Sequence, residues 1–551
     1  MSSSLISIAS SGLKAAQVAL STTSNNISNS STDGYNRQSV SLSQTAGTTQ
    51  TYGSVGNGVS VVSIDRAYDS LVVSQLRSAS STYQATNAYY EQVSQIDDLL
   101  SDSDSSISTL MSSFFTALES LSENASDTSA RQTVISSAES MVNQFVSTDQ
   151  YLRDMDSAIN SSISSSADQI NSYTQQIATL NKQISQLGAS GSAANQLLDQ
   201  RDQLISELND IVGVDVTTQD SMVSISLKNG LTLVQGDTSY SMKAVTSSSD
   251  SSRTVLAYDT GVGDPIELDE DDLQSGSVYG LLNFRSSALD SARDQLNLIA
   301  LTLADSFNTQ HKEGIDLNGD AGTDFFSFSS PTVVSNSNNS GSATLTASYT
   351  DTSSVQASDY VLSYKSGSWS VTKSSDGSSV SYTTGSDSSG NTTLSFDGVE
   401  ITVSGSASSG DKFTLNTVSD VISGLSVAIS DPALLAAGQD DSSSGESDNR
   451  NASALLDLQN SKLINGNTTL NSAYAALVSD IGVKTSGAET KSETQSTIVD
   501  QLTEKQQSVS GVNLDEEYVD LQRYQQYYTA NAKILSTANT IFDSLLSAIS
   551  G

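Results

Sequence analysis

The sequence predicts a mainly α protein with β inserts: long terminal helices form a coiled-coil or helical rod that carries two antiparallel β-rich domains. Three observations predict it. From Ser510 to Gly551 every seventh residue is apolar: Leu514, Leu521, Tyr528, Leu535, Phe542 and Ile549. The first thirty residues carry a matching row, Ile6, Leu13, Leu20 and Ile27, with the small residues Ala9 and Ala16 beside it. Between the ends, stretches with helical period alternate with stretches of short alternating strands. A seven-residue apolar repeat is the seam of a coiled coil, and small neighbours allow a second helix to approach closely. The two ends are therefore expected to pair, and the ten residues of the two rows are the expected assembly interface.

The elements follow in order. A breaker cluster at Asn29–Gly34 ends the first helix. Tyr35 to Asp65 alternates around Gly53, Gly56 and Gly58 and reads as a hairpin or extended excursion. Helical period returns from Tyr68 to about Asp98 and from Ile107 to Leu121. A heptad row at Ile163, Ile170, Ile177 and Ile184, with Tyr173, Leu180 and Leu187 three further on, continues until Gly188 and Gly191. Ala193 to Ile211 reads as a shorter helix. From Val212 to about Asp272 short strands are separated by Asn-Gly, Gly-Asp and Ser-rich turns. Leu282, Leu289, Leu296 and Leu303 then mark a helix from Gly276 to Phe307, and Phe325 to about Val418 is β again, with Tyr360, Tyr364, Trp369, Phe396 and Phe413 for a core. The chain from Ser453 onward reads as helix, broken near Gly482–Gly487. Asn513 with Glu516 gives a capping-box start to the last helix, and Asp515, Glu516 and Glu517 suit its positive end. The expected division is a terminal axial coiled-coil domain (1–66 with 510–551), a helical rod domain (67–212 with 273–324 and 420–509), a β-rich insert (213–272) and an outer antiparallel β domain (325–419).

Composition narrows the function. With 24 Lys+Arg against 62 Asp+Glu, the 551-residue chain has a net charge of −38. So acidic a surface repels nucleic-acid phosphates and anionic lipid, so neither nucleic acid nor membrane is an expected partner. It also opposes self-association, which must then be driven by apolar contact. There is no Cys, hence no disulfide or thiolate site. The first residues lack a charged segment followed by an apolar run, so export, if it occurs, is expected to proceed without an ordinary signal peptide.

No catalytic arrangement emerges. Asp316-Leu-Asn318-Gly-Asp320-Ala-Gly322-Thr-Asp324 resembles part of a calcium loop, but Ala321 replaces the turn glycine and Ser327 the bidentate glutamate, so a polar turn is expected. His311, beside Lys312 at a helix end, reads as a capping or surface residue. The pairs Asp97-Asp98, Asp271-Asp272 and Asp440-Asp441 are adjacent in sequence, which is not a catalytic geometry. Phosphate-loop, dinucleotide and nucleophile-elbow patterns are missing. The expectation is no enzyme activity, no cofactor and no metal.

Asn25-Asn26-Ile27-Ser28-Asn29 through Thr32-Asp33-Gly34-Tyr35-Asn36-Arg37-Gln38 resembles the signature after the first helix in bacterial flagellar axial proteins of the rod and hook class. Its Gly-Tyr-x-Arg-Gln ending is closer to the hook-associated protein 1 family than to rod or hook subunits. Asn26, Asn29, Gly34, Tyr35 and Arg37 are the motif residues. Ser510–Tyr518, Leu521–Tyr528, Ala530–Ala532, Thr537–Asn539, Ser447–Gln459 and Asp316–Phe326 are similar to that family as well. The resemblance implies a structural subunit, exported unfolded through the flagellar type III apparatus and assembled outside the cell as a ring layer joining hook to filament. It implies as partners further copies of the chain, the hook protein on one side, a second hook-associated junction protein on the filament side, and an export chaperone. The alternative reading is a secreted self-assembling surface protein or adhesin, which would need the 325–419 domain to bind a ligand by itself.

Overall fold

A computed structural model describes residues 2–50, 53–101, 106–189, 194–439 and 445–550; Gly191, Asp440 and Asp441 lie outside the described residues. In chain order the helices are α1 (Ser2–Ser28), α2 (Ser70–Ser101), α3 (Ile107–Glu123), α4 (Thr128–Ala189), α5 (Asn195–Ile211) and α6 (Glu270–Leu273). Then come α7 (Ser277–Phe284), α8 (Asp290–Lys312), α9 (Arg450–Asp457), α10 (Leu470–Ser510) and α11 (Leu514–Ser550). A π turn, Arg285–Leu289, joins α7 to α8. The mainly α architecture with separate antiparallel sheets is the one read from the sequence. Among the described residues no helix is long and apolar enough to cross a membrane.

The body is built where heptad rows find partners within the chain. Ile163, Ile170, Ile177 and Ile184 on α4 and Leu282, Leu289, Leu296 and Leu303 around α8 are all buried. α2 starts on Asp69, whose carboxylate accepts the Leu71 and Val72 amides, and packs along α10. α10 starts on Thr469, which accepts the Ser472 amide, and runs unbroken through Gly482 and Gly487 to Ser510. The break expected there does not form. Glycine costs a helix only about 1 kcal/mol, and burial of Leu477, Ile481 and Ala488 on either side offsets it.

Two β regions ride on these helices. In the first, Val214–Gln219, Met222–Leu227, Thr232–Gln235 and Thr238–Ser239 form one antiparallel sheet, and Ser241–Thr246, Thr254–Asp259 and Ile266–Glu267 a second. In the outer region, a five-stranded sheet is ordered Thr332–Ser335, Lys412–Asn416, Tyr360–Lys365, Ser368–Lys373, Ser379–Val380. A four-stranded sheet is ordered Thr344–Tyr349, Val399–Ser404, Thr392–Phe396, Thr383–Ser386. Tyr360, Leu362, Val371, Phe413 and Leu415 from the first sheet and Leu394, Phe396 and Ile401 from the second are buried, the alternation of half-buried strands.

The centre of the rod is aromatic. Phe114 of α3, Phe307 of α8, Phe325 and Phe326 cluster with ring centroids 4.7 to 6.4 Å apart. Phe325, at the expected edge of the outer domain, is thus a rod-core residue. His311 corrects the sequence reading: it is fully buried against Phe307 and Phe325, not a cap or surface residue. Its Nδ1 donates to the Thr323 carbonyl at 2.7 Å, and its Nε2 accepts the Ala436 amide at 2.9 Å. One nitrogen donates and the other accepts, which only the neutral ring can do, and burial holds its pKa below the usual histidine value. Arg131, also fully buried, is satisfied by the carbonyls of Ala125, Pro432 and Leu435. Asp316 accepts from the amides of Asn318 and Asp320 and from Asn318 Nδ2, so the carboxylate serves the turn it sits in.

Candidate functional site

α1 and α11 pack against each other along their length. A Cβ on Gly12 would stand 2.5 Å from Asn531 Oδ1, and Asn26 Nδ2 donates to Glu517 Oε2 at 3.1 Å. Gly12 to Asn26 and Asn531 to Glu517 are equal steps in opposite directions, so the helices are antiparallel and in step. By that register Ser2 lies opposite Ile541, and the turns from Phe542 to Ser550 run on past the end of α1.

The buried residues of the pair are small or polar. Ala9, Ala15, Ala16, Ala19, Thr22 and Thr23 of α1 and Ala538 of α11 are buried. Of the expected interface rows, Ile6, Leu13, Leu20, Ile27, Leu521 and Leu535 are partly buried. Leu514, Tyr528 and Phe542 are exposed, and the side chain of Ile549 falls outside the described residues. Further large apolar residues on α11 also face solvent: Tyr518 and Val519, at 59% and 62%, then Tyr527, Ile534, Ile541, Leu545 and Leu546. Pairing α1 with α11 therefore leaves most of the large apolar surface of α11 uncovered.

The motif after α1 clasps this pair to the body. Gly34 has a φ of +76°, a left-handed turn that glycine adopts without strain. The turn sends Tyr35 back onto α1, where its hydroxyl donates to Asn26 Oδ1 at 2.7 Å and accepts from Asn25 Nδ2. Asn26, 1% exposed, also bonds both ways with Gln38, taking its amide and giving to its carbonyl. Asn29 Nδ2 donates to the Asn25 carbonyl, holding the last turn of α1. Arg37 Nε donates to Glu517 Oε1 at 2.7 Å, and the Arg37 amide donates to the Ser510 carbonyl at 2.8 Å. Glu516 and Asp520 stand within 4.0 Å of the same guanidinium. Burial, with the charges of Asp199 and Glu517 adding and the Asn25 bond opposing, pushes the Tyr35 hydroxyl up to about 12, so it keeps its proton.

A second set of bonds ties the clasp to α5. Asn36 Nδ2 donates to Asp199 Oδ1 at 2.6 Å, and Arg66 spans Asp199 at 2.8 Å and Asp202 at 2.7 Å. Arg77 of α2 pairs with Asp202 at 3.1 Å. Asn26, Tyr35 and Arg37 thus converge, while Asn29 holds the end of α1 and accepts the Thr32 hydroxyl at 3.3 Å and Gly34 acts through the backbone. Sequence reading missed their partners Glu517, Asp199, Asp202, Arg66 and Arg77. Glu517 was legible only as an acidic first-turn residue, and nothing local marks the α5 aspartates. Among the described residues no cluster of His, Cys, Asp and Glu could hold a metal ion. The site positions two helices and offers one of them outward.

Comparison with known proteins places both chain ends in the flagellar rod class. Residues 6–36 match the family described as flagella basal body rod protein, and 505–548 the flagellar basal body rod FlgEFG protein C-terminal family. Residues 93–326 match the flagellar hook-associated protein FlgK helical domain, and 334–417 the D2-like domain of flagellar hook-associated protein 1. The flagellar hook-associated protein 1 of Escherichia coli K12 is 50% identical over 548 residues, covering 99% of both chains. That of Bacillus subtilis 168 is 24% identical over 572 residues, covering 98% of this chain and 96% of the relative. The solved structure of the flagellar hook junction protein FlgK from Burkholderia pseudomallei aligns with a TM-score of 0.74 at 29% identity, covering 79% of this chain and all of that one. The chain belongs to the flagellar hook-associated protein 1 family.

Proposed function

We propose that the chain is a structural subunit of the bacterial flagellum that forms the junction layer between hook and filament and is needed for filament assembly. The observation that carries this reading is the apolar surface of α11, which its own partner helix leaves open and which runs on beyond α1. A strongly acidic chain does not expose such a surface without a covering partner. The nearest covering surface is a further copy: identical subunits packed around an axis present the same helices to each other repeatedly, and head-to-tail contacts close into rings. The hook protein on one side, a second hook-associated junction protein on the other, and a chaperone that shields the terminal helices before assembly complete the set of partners. Location outside the cell, on the flagellum, follows from that role, which is performed by assembly and not by catalysis. The division into a terminal pair (1–66 with 510–551), a rod (67–212, 273–324 and 420–509), a β insert (213–272) and an outer β domain (325–419, its first residue Phe325 seated in the rod core) assigns assembly to the first unit.

The test is complementation of cells that lack their own junction subunit. The chain should restore attached filaments. A chain carrying Leu545→Asp and Leu546→Asp should be exported and folded but leave filament protein in the medium. Attached filaments in that variant would refute the role given to α11.

A further inference from the structure

Where the outer β domain meets the rod, charged side chains from α4, α8, the turn before Thr254 and the strand ends near Asp359 and Ser419 come together. The arginines there are directed mainly at other carboxylates. Arg253 is held by Asp290 at 2.8 and 2.9 Å and by Asp250 at 3.0 Å. Arg153 pairs with Asp149 at 2.6 Å and Asp420 at 3.4 Å, Arg293 stands 3.8 Å from Asp149, and Arg285 pairs with Asp156 at 2.8 Å. Asp294 and Asp359 are left in no ion pair of the described residues. Asp294 is buried on α8 and Asp359 is partly buried on the outer domain. They share one hydroxyl: Ser419 Oγ lies 3.0 Å from Asp294 Oδ1 and 3.5 Å from Asp359 Oδ1. A hydroxyl has one proton and can donate to only one of them. Two carboxyls within reach of one donor, in a joint that already holds Asp290, cannot both ionise cheaply.

We propose that Asp294 and Asp359 form a protonation-controlled latch, in which a proton held between them across Ser419 fastens the outer β domain to the rod and its loss loosens the joint. Burial first, and then the negative charges of Asp359 and Asp290, hold the Asp294 carboxyl well above the usual range, against the Ser419 bond and Arg293. Burial and Asp290 push Asp359 up to about 6, against Arg253, the Thr417 amide and Arg293. Both shifts are upward, so the closed joint keeps a proton that the open joint gives up. Closure is therefore favoured in mild acid and weakens as pH rises through the closed-state value. For a carboxyl at about 6, the opening equilibrium grows about tenfold between pH 5 and pH 8.

The experiment is amide hydrogen exchange on the full chain, corrected for intrinsic rate, followed at the joint. The Ile422 amide, three residues beyond Ser419 at the joint, donates to Asn297 Oδ1 of α8 at 2.9 Å and is the reporter. Its protection should fall about tenfold from pH 5 to pH 8. Asp359→Asn, which keeps the shape and removes the carboxyl held at about 6, should flatten that dependence. A flat response in the unaltered chain, or the same slope in Asp359→Asn, would overturn the latch. Should Asp359→Asn fail to fold, Asp294→Asn and the infrared band of a buried protonated carboxyl decide: the band must be present at pH 5, weaken by pH 8 and weaken in Asp294→Asn. Its absence from the unaltered chain at pH 5 contradicts the proposal.

Discussion

The isoleucine row of α4 and the apolar row of α11 share one seven-residue spacing, yet the first is buried throughout and the second stands largely in solvent. Ile163, Ile170, Ile177 and Ile184 lie on a helix packed by α5 and the strands of the β insert, while Leu514, Tyr528 and Phe542 remain about half exposed. Spacing sets which face of a helix is apolar, but not whether its partner is within the chain. α1 does not supply the missing partner, because it approaches α11 with Gly12 and alanines, a close and narrow contact. The rod buries its rows within the single chain; the terminal pair leaves the α11 row open, the surface proposed above for assembly.

Substitutions that treat the two rows alike should separate them. Ile170→Asp in the α4 row leaves a charge without a partner in the core and should cost the body at least about 4 kcal/mol, read as loss of its cooperative unfolding transition. Gly12→Val should push α1 from α11, because the new side chain meets Asn531. The overpacking should cost about 1–3 kcal/mol, confined to the terminal pair and visible as faster proteolysis of both ends with the rod transition unmoved. Arg37→Met removes the cation from buried Glu517; with the guanidinium side chain itself about a third exposed, the loss should be about 2 kcal/mol at the clasp. Glu517→Gln introduced with it should restore part of that loss.

His311 gives a pH-dependent comparison within the rod. Its folded pKa is depressed, so the unfolded chain binds the extra proton first, and the stabilisation is full above about 6.5 and drains as pH falls. Relative to His311→Gln, the natural chain should lose up to about 1.4 kcal/mol per pH unit below about 6.5, measured by denaturant unfolding of both proteins at pH 7 and pH 5. The smallest effect on the free chain belongs to Leu546→Asp. It should change stability by no more than about 0.5 kcal/mol, because the position is already half in water.

Much of this was legible because helices announce their apolar face locally. The α4 and α8 rows, the strand-rich inserts and the pairing of the two ends all follow from periods of seven and two. The partners of the motif were not legible. Arg37 meets Glu517 across 480 positions and Asn36 meets Asp199 across 163, and a surface-type aspartate looks the same in sequence whether it is solvated or clasped. His311 was misplaced for a related reason: its hydrogen-bond partners, Thr323 and Ala436, are backbone groups without a side-chain signature. The glycines of α10 misled because local propensity is weak against tertiary burial.

The most direct measurement is site-specific photo-crosslinking from position 542, with a photo-reactive aromatic replacing Phe542, in purified assembled flagella and in dilute free chain. Phe542 lies just beyond Ile541, the position opposite Ser2, and is 47% exposed in the single chain. The expected result is an intermolecular adduct between copies of the chain in assembled flagella, and none in the dilute protein. If position 542 crosslinks only within its own chain, or yields no adduct to another copy in assembled flagella, then the open face of α11 is not the surface that builds the junction.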